Sequence, residues 1–138
     1  MAYFEKIGLL VLNEDATKFL VCEKSPDYDT TEYIMPGGQR HDMSDVACLR
    51  KKIDDELGCD IRTESLELIG EYIGPAAGHP GKDVWIRLYC AKLLGIPTPS
   101  SEIDVLHWIG KDDRDNPRVS YIVREKIIPD LVKRKILY

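Results

Sequence analysis

The segment from Pro36 to Asp60 leaves this chain few choices, because it joins a double glycine to an amphipathic helix and a helix stop. Val46, Leu49, Ile53 and Leu57 recur at steps of three and four, which predicts an apolar stripe on a helix of about three to four turns. Lys52, Asp55 and Glu56 fall together on another face. Asp42 or Ser44 can cap the start, with Asp45 three residues after Asp42 in a weak form of the capping box, and Gly58 can take the left-handed position at the end. Two adjacent carboxylates facing away from the core, beside a Gly-Gly turn, suit a hard divalent cation that bridges to substrate phosphates. The plainer alternative is a solvated, salt-bridged helix surface.

The same stretch resembles the signature box of the Nudix superfamily, G-x5-E-x7-R-E-U-x-E-E-x-G-U, where U is a bulky aliphatic residue. Gly37 falls on its first glycine and Gly58 on its last. Ile53 takes the aliphatic position, Glu56 the second acid of the final pair, and Asp55 stands for the first. Four positions depart: Met43 replaces the first glutamate, Lys51 the arginine, Lys52 the glutamate after it, and Cys59 the closing aliphatic residue. The resemblance implies that Gly37 (through its carbonyl), Asp55 and Glu56 hold Mg2+ or Mn2+, and that the site is weakened. The ammonium of Lys52 neither ligates a metal nor takes a proton from water near neutral pH.

Bulk properties set the remaining bounds. The 138 residues, 43% hydrophobic and 31% charged, predict one globular domain, 1–138, with a real core. A formal net charge of -5 and a pI near 5.2 argue against a nucleic-acid polymer as the main partner, though a metal and a few basic side chains can neutralise a nucleotide locally. Cys22, Cys48, Cys59 and Cys90 form no C-x-x-C pair and read as reduced, mostly buried thiols. The opening Met1 to Lys6 lacks the regions of a signal peptide and no apolar run reaches membrane-spanning length, so a soluble cytoplasmic protein is expected.

Along the chain, the apolar run from Ile7 to Asn13 suits a strand buried on both faces, and Lys18 to Glu23 returns from it as a hairpin. Glu32 to Met35 is a short strand leading to the glycine turn. Leu66 to Ile73, Val84 to Leu94 and Val105 to Ile109 read as strands, separated by the Gly/Pro-rich loops 74–82 and 95–101. Val119 to Leu137 is helical, kinked or divided at Pro129. This order gives an α+β domain with a sheet covered on both faces. Pro-Ala-Ala, His-Pro-Gly, an aromatic strand and Gly-x-Pro-x-Pro-Ser-x-Glu-Ile also resemble small bacterial-type Nudix proteins. The implied fold is the Nudix-like α/β/α sandwich with a mixed sheet.

Other candidates follow. Several Nudix proteins carry an acid in the loop before the final strand as an extra ligand or general base, which points to Glu102; its plain reading is an exposed loop glutamate. Lys24 can neutralise a substrate phosphate or simply guard a strand edge. Tyr33, Tyr72 and Trp85 are core aromatics unless one lies open to stack on a base, for which Tyr33 is the choice. His79 and His107 lack triad partners. The expected function is a nucleotide pyrophosphohydrolase: a Nudix-type hydrolase cleaving the diphosphate of a nucleoside diphosphate linked to another moiety, with Glu56 and Glu102 catalytic and Lys24, Lys52 and Tyr33 on the substrate. The alternative is a catalytically inactive Nudix domain that senses a nucleotide. Relatives often pair as homodimers.

Overall fold

The computed structural model describes residues 4–138. The expectation of a leaderless start therefore rests in part on residues outside those described. β1 (Phe4–Leu10) runs through the middle of a four-stranded mixed sheet, parallel to β6 (Asp83–Cys90) and antiparallel to β3 (Gly37–Gln39), with β5 (Glu67–Pro75) antiparallel to β6 at the far edge. β2 (Phe19–Lys24) and β8 (Ile103–Ile109) form a second, antiparallel pair, and β4 (Asp60–Ile61) pairs with β7 (Leu93–Leu94).

The unbroken apolar run near the N-terminus is explained by two cores. Ile7, Leu9 and Val11 face one cluster with Leu49, Ile53 and Leu57 of α1 (Asp45–Leu57), while Leu10 faces another with Leu88, Ile122, Ile127 and Leu131. A strand covered on both faces has no polar alternation to keep.

Three local expectations change. The hairpin from β1 to β2 exists only at its base, where Leu12 bridges Phe19; the strands then part, and β2 pairs with β8. Glu32 to Met35 contributes single bridges, Tyr33 to Val119 and Ile34 to Cys22, rather than a strand. Gly37 and Gly38, expected as a turn, are themselves the strand, registered against Gly8 and Ile7. Close approach to β1 is what these glycines provide.

α1 has the expected caps: the Ser44 hydroxyl accepts from the Ala47 N–H, and Gly58 sits at φ 62°. Val46, however, is 38% exposed, and Cys48 takes its place in the buried stripe. The helix is rotated because Asp45 is held against β6, accepting from Arg40, Arg87 and Tyr89. Burial pushes the Asp45 carboxyl upward, but these three donors outweigh it and hold the group below its ordinary range. A depressed carboxyl contributes stability above its unfolded pKa and loses it as pH falls through the folded one. Asp45→Ala is therefore expected to cost about 2 kcal/mol at neutral pH, with the deficit shrinking in acid. Urea titrations at two pH values check this; an equal penalty at both would contradict it.

The C-terminal helix carries a π-helical turn, Val123–Ile127, closed by the Ile128 N–H on the Val123 carbonyl, before α2 (Ile128–Lys133) begins. Pro129 has no N–H to give, so the chain widens ahead of it. No helix among the described residues is long and apolar enough to cross a membrane.

Candidate functional site

A cleft of about 320 Å³ opens beside β3 and the face of α1 that carries Lys52 and Glu56. Its lining includes the charged Lys6, Lys24, Lys52, Asp29, Glu56 and Glu102 and the apolar Phe4, Ile86, Ile122 and Val123. Gly37 and Gly38 line it as well. A Cβ on Gly38 would meet the Lys52 stem at 2.8 Å.

Glu56 is the pivot. Only 6% exposed, it accepts the Gly37 N–H at 2.9 Å. Burial raises its proton affinity above that of an ordinary glutamate, and Glu102 adds to this, while Lys6, the Gly37 N–H and Lys24 act the other way. Lys6 donates to the Met35 carbonyl at 2.7 Å, and burial lowers its pKa against the pull of Glu56. Lys24 bridges Asp29 at 3.0 Å and Glu102 at 3.9 Å, and Asp29 also meets His79 at 2.9 Å.

Of the residues singled out from sequence, Gly37, Glu56, Glu102, Lys24 and Lys52 line this cleft. Two do not. Asp55 was expected beside Glu56, but it turns outward, 41% exposed at its side chain, and pairs with Lys51 at 3.2 Å. One position along a helix is about 100° of rotation, so adjacent acids diverge unless a ligand gathers them. Tyr33 is 7% exposed, stacked on His107 with ring centroids 4.0 Å apart and covered by Arg118, and is closed to any base. Gly37 meets Glu56 through its N–H.

The donor set does not fit the divalent cation expected from sequence. A hard cation needs several oxygens at once. Among the described residues, no three His, Cys, Asp or Glu side chains come close enough to share an ion. Glu56 accepts the Gly37 N–H through one oxygen, Asp29 pairs with Lys24 at 3.0 Å, and Glu102 stands 3.9 Å from Lys24.

Among the polar residues of the cleft, Lys6, Asp29 and Ser120 were missed. Lys6 and Glu5 are the two charged residues of β1, directly ahead of its apolar run, a signal that was there to read. Ser120 is 2% exposed, and its hydroxyl has no hydrogen-bond partner among the described residues. Nothing local marks it in the sequence.

Compared with known proteins, the sequence matches no family model and no curated protein. Solved structures do match. The MutT protein from Methanosarcina mazei Go1 superposes with a TM-score of 0.77 at 16% identity, covering 97% of this chain and 96% of that one. The chain has the Nudix fold. A MutT Nudix hydrolase from Burkholderia pseudomallei gives 0.70 at 18% identity, over 88% of this chain and 92% of that one. A UDP-X diphosphatase gives 0.71 at 17% identity, over 97% of this chain and 63% of that one. The Nudix-like α+β fold with a mixed sheet expected from the sequence is thus the fold observed, and α1 lines the cleft.

Proposed function

We propose that this chain hydrolyses the diphosphate of a nucleoside diphosphate linked to another moiety, slowly, with Glu56 as the base. The observation that carries the reading is a buried carboxylate of raised proton affinity in a cleft of about 320 Å³ that it shares with three lysines and with apolar side chains. The names of the similar solved proteins, MutT and UDP-X diphosphatase, point the same way. Glu56 takes a proton from water as the water oxygen bonds to one phosphorus. The bond from that phosphorus to the bridging oxygen breaks, and the electron pair leaves with the departing phosphate. Lys6, Lys24 and Lys52 face the charge that accumulates on the phosphate oxygens, and preorganised cations there lower the barrier. Glu102 stands 3.9 Å from Lys24 in the same cleft.

A second reading, binding without turnover, is favoured by the outward turn of Asp55 and by Lys52 in a position that the Nudix box gives to glutamate. A panel of nucleoside diphosphates and their sugar and ribose conjugates, assayed for phosphate-ester products with wild type and Glu102→Gln, separates the two. Turnover that falls about tenfold in Glu102→Gln supports hydrolysis. Saturable binding with no product from any compound supports the sensor.

A further inference from the structure

We propose that Lys52, aided by Lys6 and Lys24, takes the place of the divalent cation in this cleft, so that the chain grips its ligand's diphosphate without metal. This rests on the diphosphate reading above and specifies how that ligand is held.

Charge gives the first argument. A carboxylate carrying a divalent cation sums to a single positive charge, and one ammonium supplies the same charge at the same helix position. The cleft thus keeps its attraction for phosphate and loses its attraction for a second cation, which the lysines repel.

Geometry gives the second. Lys51 and Asp55 stand four residues apart on α1 and pair at 3.2 Å. Lys52 and Glu56 have the same spacing, yet Glu56 is turned inward to the Gly37 N–H. Lys52 is left with no hydrogen bond or ion pair among the described residues, its stem lying along Gly38 within 2.8 to 3.3 Å of where a Cβ would stand. A lysine whose stem is held while its three N–H donors go unused is preorganised for an anion. Lys24 is engaged by Asp29 and Glu102, and Lys6 gives one bond to the Met35 carbonyl, so Lys6 keeps further donors.

An independent observation also points to a ligand. Ser120, a residue of the same cleft, has a buried hydroxyl with no partner among the described residues, a costly arrangement for a polar group unless something supplies one.

Calorimetric titration with inorganic pyrophosphate, in EDTA and in excess Mg2+, tests the assignment. Wild type is expected to bind in EDTA at least as tightly as in Mg2+, because the metal neutralises the anion and competes with the lysines. Lys52→Met keeps the stem on Gly38 and is expected to weaken binding about tenfold or more, as loss of a charged hydrogen bond does, with an unchanged melting temperature; Lys52→Arg should restore most of it. Lys52→Glu should bind pyrophosphate only when Mg2+ is present. Wild-type binding that requires Mg2+ overturns the assignment and leaves the diphosphate reading standing, as does wild-type affinity in Lys52→Met or in Lys52→Glu without metal. Binding under neither condition overturns both.

Discussion

Gly37→Ala is expected to destabilise the protein by more than about 4 kcal/mol, enough to unfold much of a chain of ordinary stability. Gly37 sits at φ 132°, a conformation that L side chains rarely adopt, and a Cβ there would stand 2.0 Å from the Ile7 carbonyl oxygen and 3.0 Å from the Gly8 Cα. Both obstacles are backbone atoms of the central strand, so no side chain can swing aside. β3 would have to withdraw from β1, breaking the pairing of Lys6 with Gln39 and of Ile7 with Gly38. Gly58, at φ 62° with its nearest neighbour at 3.8 Å, offers the control: alanine there meets only the left-handed backbone penalty, about 1 kcal/mol. Urea denaturation of the two variants side by side measures the contrast. A Gly37→Ala midpoint close to that of Gly58→Ala would mean that β3 does not pack as described.

Glu56→Gln is expected to abolish most hydrolysis, by about 100-fold or more, while leaving the fold intact. The amide oxygen still accepts the Gly37 N–H, but no base remains. Glu56→Ala should differ, losing about 2 to 4 kcal/mol because Gly37 is left with a buried unpaired N–H and Lys6 loses the carboxylate that most favours its charged form. The pH dependence has a definite sign. Burial holds the Glu56 carboxyl above its ordinary pKa, so its contribution to stability is fully present below the unfolded pKa and is lost as pH rises through the folded one. The base works only when deprotonated, so the rate rises over that same window. Glu56→Gln should erase both trends. A rate that keeps its rise with pH in Glu56→Gln would assign the base to another group.

How far the sequence led depended on which force set each feature. The helix, its Ser44 and Gly58 ends and the glycine register were legible because caps and positive φ are local demands. That Gly37 and Gly38 form a strand was not, since what they permit is contact with Ile7 and Gly8, about thirty residues away in the chain. Val46 was misjudged because the rotation of α1 is fixed by Arg87 and Tyr89 of β6 gripping Asp45. Asp55 and Tyr33 were assigned by position in a pattern, whereas their directions depend on Lys51, His107 and Arg118. Ser120 lay beyond reach, because an unpartnered hydroxyl is a property of its surroundings. Lys6 was within reach and overlooked.

The most direct measurement is a titration of protein with 13C-labelled lysine Cε groups, followed by NMR as α,β-methylene-ADP, a nucleoside diphosphate with an uncleavable bridge, is added in EDTA. Occupancy of the cleft predicts that Lys6, Lys24 and Lys52 shift together along one saturation curve while Lys111 and Lys133 stay still. Shifts confined to Lys111, Lys133 and other lysines outside the cleft, or no saturable shift at any lysine, would contradict the account.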